Sequence, residues 1–160
     1  MKRRRQDILI HAILVALVAA LAMASTAYAQ ELKFEADLSG AAERPTPVVT
    51  EGVGDAKFES DGTSVEYELK WDDLTTPAFA AHIHCGGPEE SGPVGVTLFA
   101  GAMDTEGEVQ ATFTTPDPGN ACGWEDLTDV LAAMASGDAY VNVHTTQHRG
   151  GEIRGQIAAD

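Results

Sequence analysis

Residues 56–71 read AKFESDGTSVEYELKW, and this stretch decides the fold class. Asp61-Gly62 is a tight-turn dipeptide, because glycine reaches the positive φ that a short hairpin loop needs. After it, Val65, Tyr67, Leu69 and Trp71 alternate with Glu66, Glu68 and Lys70. A period of two sends the apolar set to one face and the charged set to the other, which is the pattern of a half-buried strand. Before the turn, Ala56 and Phe58 mark a short partner strand. The two are expected to pair as an antiparallel hairpin.

Working towards the N-terminus, Leu32, Phe34, Ala36 and Leu38 alternate with Lys33, Glu35 and Asp37, a first strand. Ser39 to Gly52 contains Pro45 and Pro47 and reads as a loop or irregular edge. Towards the C-terminus, Phe79 to His84 reads as a fourth strand, with Phe79, Ala81 and Ile83 on one face and Ala80, His82 and His84 on the other. A Gly- and Pro-rich turn over residues 86–93 leads to a fifth strand, Val94 to Phe99, and Val109, Ala111 and Phe113 mark a sixth. From Glu125 to Ala135, Leu127, Val130, Leu131 and Met134 recur at helical spacing, with Gly137 as the stop signal. Ala139 to Thr145 and Gly151 to Ala158 close the chain as two more strands. The expected fold is all-β: an antiparallel β-sandwich or small Greek-key barrel of about 7–8 strands with one short helix.

The first residues follow another rule. Lys2, Arg3, Arg4 and Arg5 precede an apolar run from Ile8 to Ala24, and Ala27-Tyr28-Ala29 supplies the small-x-small site before Gln30. That order predicts a signal peptide over residues 1–29 and a single exported domain over residues 30–160. A secreted, periplasmic or cell-surface location follows, with no membrane attachment once the leader is cut. Removing Lys2, Arg3, Arg4, Arg5 and Asp7 from 10 basic and 25 acidic residues leaves a formal charge of −18. Such a surface repels nucleic acid, whose phosphates need a basic footprint. The acidity suits a solvated surface and is no sign of a particular ligand. Cys85 and Cys122, in a chain bound for an oxidising compartment, are expected to form a disulfide.

The candidate chemistry lies in three histidines. Strand parity aims His82 and His84 from the same face, and His144 sits on a late strand beside Asn142 and Tyr140. Two imidazoles from an H-x-H strand and a third from a neighbouring strand can surround copper or zinc, because neutral ring nitrogens suit those borderline ions. Histidines in a sheet can equally be satisfied by hydrogen bonds in a structural network. Local motifs for catalysis are absent: there is no G-x-S-x-G elbow, phosphate loop, H-E-x-x-H or dinucleotide fingerprint, and no catalytic residue is assigned.

Several motifs in order also carry a family resemblance: Ala81-His82-Ile83-His84, Gly92-Pro93-Val94, Leu98-Phe99, Tyr140-Val141-Asn142-Val143-His144-Thr145 and Gly150-Gly151-Glu152-Ile153-Arg154-Gly155-Gln156-Ile157. Together they resemble the chordin-type, or CHRD, domain from about Leu32 to Ile157. The resemblance implies an extracytoplasmic β domain acting as a binding or structural module, with a protein or matrix partner it does not name and no established catalytic activity. A weaker likeness runs to copper-zinc superoxide dismutase. It would make His82, His84 and His144 copper ligands and turn Arg154 towards an anion, whereas the structural alternative pairs Arg154 with an acid. No histidine falls between residues 85 and 115, so the zinc half of such a binuclear site is not expected. A likeness at the level of fold remains an analogy. Metal binding at the histidines is thus the alternative to a metal-free module.

Overall fold

A computed structural model describes residues 31–160, so the signal peptide expected over residues 1–29 lies outside the described residues. Nine strands and one α-helix follow in chain order. They are β1 (Leu32–Ser39), β2 (Val53–Ser60), β3 (Val65–Asp72), β4 (Ala78–Cys85), β5 (Val94–Ala100), β6 (Gly107–Phe113), α1 (Leu127–Ser136), β7 (Ala139–Thr145), β8 (Ile153–Gln156) and β9 (Ala158–Ala159). The strands form one antiparallel sheet in the order β5-β4-β7-β8-β1-β2-β3-β6, with β9 also paired to β1. The hairpin expected from residues 56–71 is present, with Phe58 opposite Tyr67 and Ala56 opposite Leu69.

The sheet curls until its ends nearly meet. Between β3 and β5 side chains make the closure: the Tyr67 hydroxyl donates to the Leu98 carbonyl, and the Trp71 ring stacks on Phe99 at 5.1 Å between centroids. Inside lie Phe34, Leu38, Phe58, Val65, Leu69, Ile83, Val96, Val141, Val143 and Ile153, all buried. Burying each such side chain stabilises the fold by about 1.5–3 kcal/mol relative to exposure. The predicted last strand is two strands, β8 and β9, separated by the buried Ile157, whose N–H donates to the Ala139 carbonyl.

The helix α1 packs Leu127, Val130, Leu131 and Met134 into the core. It starts at Asp126, whose carboxylate accepts from the N–H groups of Thr128 and Asp129, rather than at Glu125. It ends at Gly137, whose φ of 77° is the left-handed conformation that a Cβ disfavours. No helix among the described residues is long and apolar enough to cross a membrane. Cys85 and Cys122 are joined, with Cα atoms 5.8 Å apart, tying the segment before α1 to the end of β4.

One part of the strand parity differs from expectation. The pairing of β4 with β7 is irregular between Ala78 and Ala80, so the core takes Ala78, Ala81 and Ile83 but not Phe79. Phe79 is half-buried on the outer side, its ring 6.1 Å from that of His144. A bulge adds one residue to a strand and so inverts the alternation beyond it, and no periodicity count reveals it.

Candidate metal centre

The outward faces of β4, β7 and β8 carry an unusual set for a sheet surface: His82 and His84; Tyr140, Asn142 and His144; Arg154 and Gln156. Every residue of β7 is buried, because the core covers one side and loops cover the other. Residues 86–93 and 146–151 lie over this face, and a segment following β1 brings Glu43 to it.

The three histidines meet. Ring centroids are 4.8 Å apart for His82 and His144, 5.6 Å for His82 and His84, and 5.7 Å for His84 and His144. One ring nitrogen from each lies within 4.8 Å of the others. An ion bound at about 2.0–2.1 Å allows ligand nitrogens at most about 4.2 Å apart, so small side-chain rotations would bring all three into a shared sphere.

Hydrogen bonding decides which nitrogens are available. His84 Nδ1 lies 2.9 Å from the Gly92 carbonyl and His144 Nδ1 lies 3.0 Å from the Arg149 carbonyl. A carbonyl only accepts, so each Nδ1 carries the proton and each Nε2 keeps its lone pair in the neutral ring. Among the described residues, three buried side-chain nitrogen or oxygen atoms lack a partner: His84 Nε2, His144 Nε2 and His82 Nδ1. Burial and the neighbouring His144 and His84 push the His82 ring down to about 4. Burial likewise pushes His84 down to about 4 despite the Gly92 carbonyl, and lowers His144. The rings are therefore neutral at neutral pH, the form a metal requires.

Beside the histidines, Tyr140 stacks on His84 with centroids 4.9 Å apart and planes 8° from parallel. On its other side the Arg154 guanidinium lies 3.5 Å from the Tyr140 centroid. Arg154 is 2 % exposed and donates to the carbonyls of Glu90 (2.6 Å) and Gly87 (2.8 Å) and to Gln156 Oε1 (3.2 Å). Its side chain is thus engaged with the 86–93 loop rather than extended over the histidines. Asn142 donates to Glu43, whose carboxyl burial pushes up to about 7 against the pull of Asn142 and Arg154. Glu43 is a member of this face that neither parity nor motif exposed, because it lies in the loop read as irregular. Gly92, of the Gly92-Pro93-Val94 motif, gains its role here: a Cβ there would sit 1.6 Å from the Cys85 carbonyl, so only glycine lets the loop fold back onto β4.

The family model of the CHRD domain matches residues 34–157, from the first strand to the Ile157 that separates the last two. The chain belongs to the CHRD domain family. No curated protein matches it. Typically extracellular use of CHRD domains agrees with the bridged cysteines, since disulfides persist in oxidising compartments. In this CHRD domain the candidate centre uses motif positions of two distant segments, 81–84 and 140–145, which β4 and β7 place side by side.

Proposed function

We propose that this CHRD domain is an extracytoplasmic metal-binding module that holds copper(II) or zinc on His82, His84 and His144. One observation carries the proposal: among the described residues, the three buried side-chain nitrogen or oxygen atoms without a hydrogen-bond partner are ring nitrogens of these three residues. Buried polar atoms are almost always paired, and convergent unpaired nitrogens are the donor set such an ion takes. The Nδ1–H bonds of His84 and His144 to main-chain carbonyls are the outer support that metal-bound histidines characteristically have. Three imidazoles with no thiolate or carboxylate among them favour copper or zinc over magnesium or calcium, which prefer oxygen. The residues fit such an ion, and its chemistry there would be Lewis acidity or, for copper, one-electron exchange.

The purified protein is stripped with a chelator and titrated with copper(II) or zinc, with calorimetry, elemental analysis and thermal melting as readouts. One ion per chain and a raised melting temperature are expected. Binding to the native state at a hundredfold excess over Kd stabilises it by about 2.7 kcal/mol. His84→Ala should lose both signals. No bound ion and no change in melting for either metal would refute the proposal and leave a metal-free binding or structural module.

A further inference from the structure

Taking the metal reading above as its basis, we infer that Tyr140 and Arg154 are positioning residues that fix the His84 ring in the orientation a metal needs. Neither offers a nitrogen to the cluster. Both act on His84 through the loop at residues 86–93.

That loop reads GGPEESGP and contains no large apolar side chain, so hydrophobic burial does not hold it down. Polar contacts do. Arg154 takes the carbonyls of Gly87 and Glu90, and Gln156 takes that of Gly86 at 2.9 Å. The Tyr140 hydroxyl accepts from the Gly92 N–H at 3.0 Å and lies 3.3 Å from the Gly92 carbonyl as a donor. The same carbonyl receives His84 Nδ1–H. Gly92 is therefore gripped by Tyr140 while it sets the tautomer of His84, which leaves Nε2 as the free donor.

The rings repeat the coupling in a second way. His84, Tyr140 and Arg154 form a continuous stack in which the nearly parallel imidazole and phenol are backed by the guanidinium. Planar stacking restricts ring rotation, and a guanidinium on a phenol face adds a cation–π attraction that an ammonium in another place would not reproduce. Arg154, two strands away on β8, thus reaches His84 through the Tyr140 ring and through the loop whose Gly92 carbonyl holds His84 Nδ1. Outer partners of this kind alter metal affinity by about 10- to 100-fold when removed.

Tyr140→Phe deletes the hydroxyl and keeps the stacked ring. Arg154→Lys keeps the charge and loses the planar fork. Phe58→Leu, in the core away from this face, serves as a stability control. Each purified protein is stripped of metal, its melting recorded, and then titrated with copper(II), followed by calorimetry and the electron paramagnetic resonance hyperfine splitting. Expected are a Kd weakened by about 10- to 100-fold and a changed hyperfine splitting in Tyr140→Phe, a similar change in Arg154→Lys, and wild-type values for both in Phe58→Leu. Should Arg154→Lys not fold, Tyr140→Phe alone decides. Wild-type affinity and spectrum in Tyr140→Phe would overturn the positioning role while the metal site stands. An equal loss in Phe58→Leu would overturn it in favour of general destabilisation. Failure of the wild-type protein to take copper(II) would instead remove the metal reading itself, and the positioning role with it.

Discussion

Glu152 is expected to be the costliest single polar side chain to neutralise. It is 0 % exposed and has no cationic partner among the ion pairs of the described residues. Instead its Oε1 accepts from Thr50 Oγ1, the Thr75 N–H and Thr75 Oγ1, each at 2.7 Å, and its Oε2 accepts from Thr145 Oγ1 at 2.8 Å. One carboxylate therefore pins three separate segments: the loop before β2, the turn after β3 and the end of β7. Burial alone would raise its pKa, yet the bonds from Thr50, Thr75 and Thr145 outweigh burial and hold it below the usual carboxylate range.

Glu152→Gln keeps the shape but removes the charge that strengthens four hydrogen bonds. Bonds to a charged group contribute about 1.5–3 kcal/mol each against about 0.5–1.5 for neutral pairs. The difference is about 1–1.5 kcal/mol per bond, and with roughly half of the four-bond sum offset by the easier desolvation of an amide the net loss is about 2–3 kcal/mol. The new amide also faces Thr145 Oγ1, which already accepts from the His148 N–H at 3.1 Å. Urea unfolding at pH 7, followed by circular dichroism with the disulfide intact, should show that loss with an unchanged slope. The sign of the pH dependence is also determined. A depressed carboxyl contributes stability that is present above its ordinary value of 4.5 and is lost as pH falls through the folded value. The gap between wild type and Glu152→Gln should therefore shrink on acidification. A difference below about 0.5 kcal/mol at pH 7, or a gap that widens in acid, would refute the reasoning.

Glu43 should behave in the opposite sense. Its folded value of about 7 lies above the ordinary 4.5, so its contribution is complete below pH 4.5 and is lost as pH rises towards 7, by about 3 kcal/mol in all. Unfolding free energies at pH 5 and 7.5 should show Glu43→Gln gaining relative to wild type at the higher pH, and parallel curves would count against it. The Cys85–Cys122 bond closes a loop of 37 residues, for which the chain-entropy model gives about 4 kcal/mol. A Cys85→Ser, Cys122→Ser double variant should lose up to that amount in denaturant unfolding, while alkylation of the wild-type protein without reductant should leave its mass unchanged.

Much of this domain was legible because β-strands write their period into the chain. The hairpin of residues 56–71, the alternation from Leu32 to Leu38 and the helical stripe at Leu127, Val130, Leu131 and Met134 each report a local burial pattern. His82 and His84 share a face for the same reason. Phe79 was misplaced because the pairing of β4 with β7 is irregular between Ala78 and Ala80, and a break in pairing leaves no mark on the spacing of apolar residues. Glu43 was hidden, and Gly92 stood in a motif without a role, because what they do depends on loops folding back over the sheet. Arg154 could be narrowed only to two roles, since its surroundings are residues 86–90 and Tyr140, far off in the chain.

The residue order by itself determined an all-β domain with a capped helix, a paired H-x-H strand and a third histidine on a later one, because each depends on spacing within a short segment. Only the tertiary structure decided that the three rings converge, which nitrogens keep free lone pairs, and what holds His84 in place. Those properties arise from sheet order, loop carbonyls and burial, which join residues more than 60 positions apart, as Arg154 and Glu90 are. Local periodicity carries no record of such encounters.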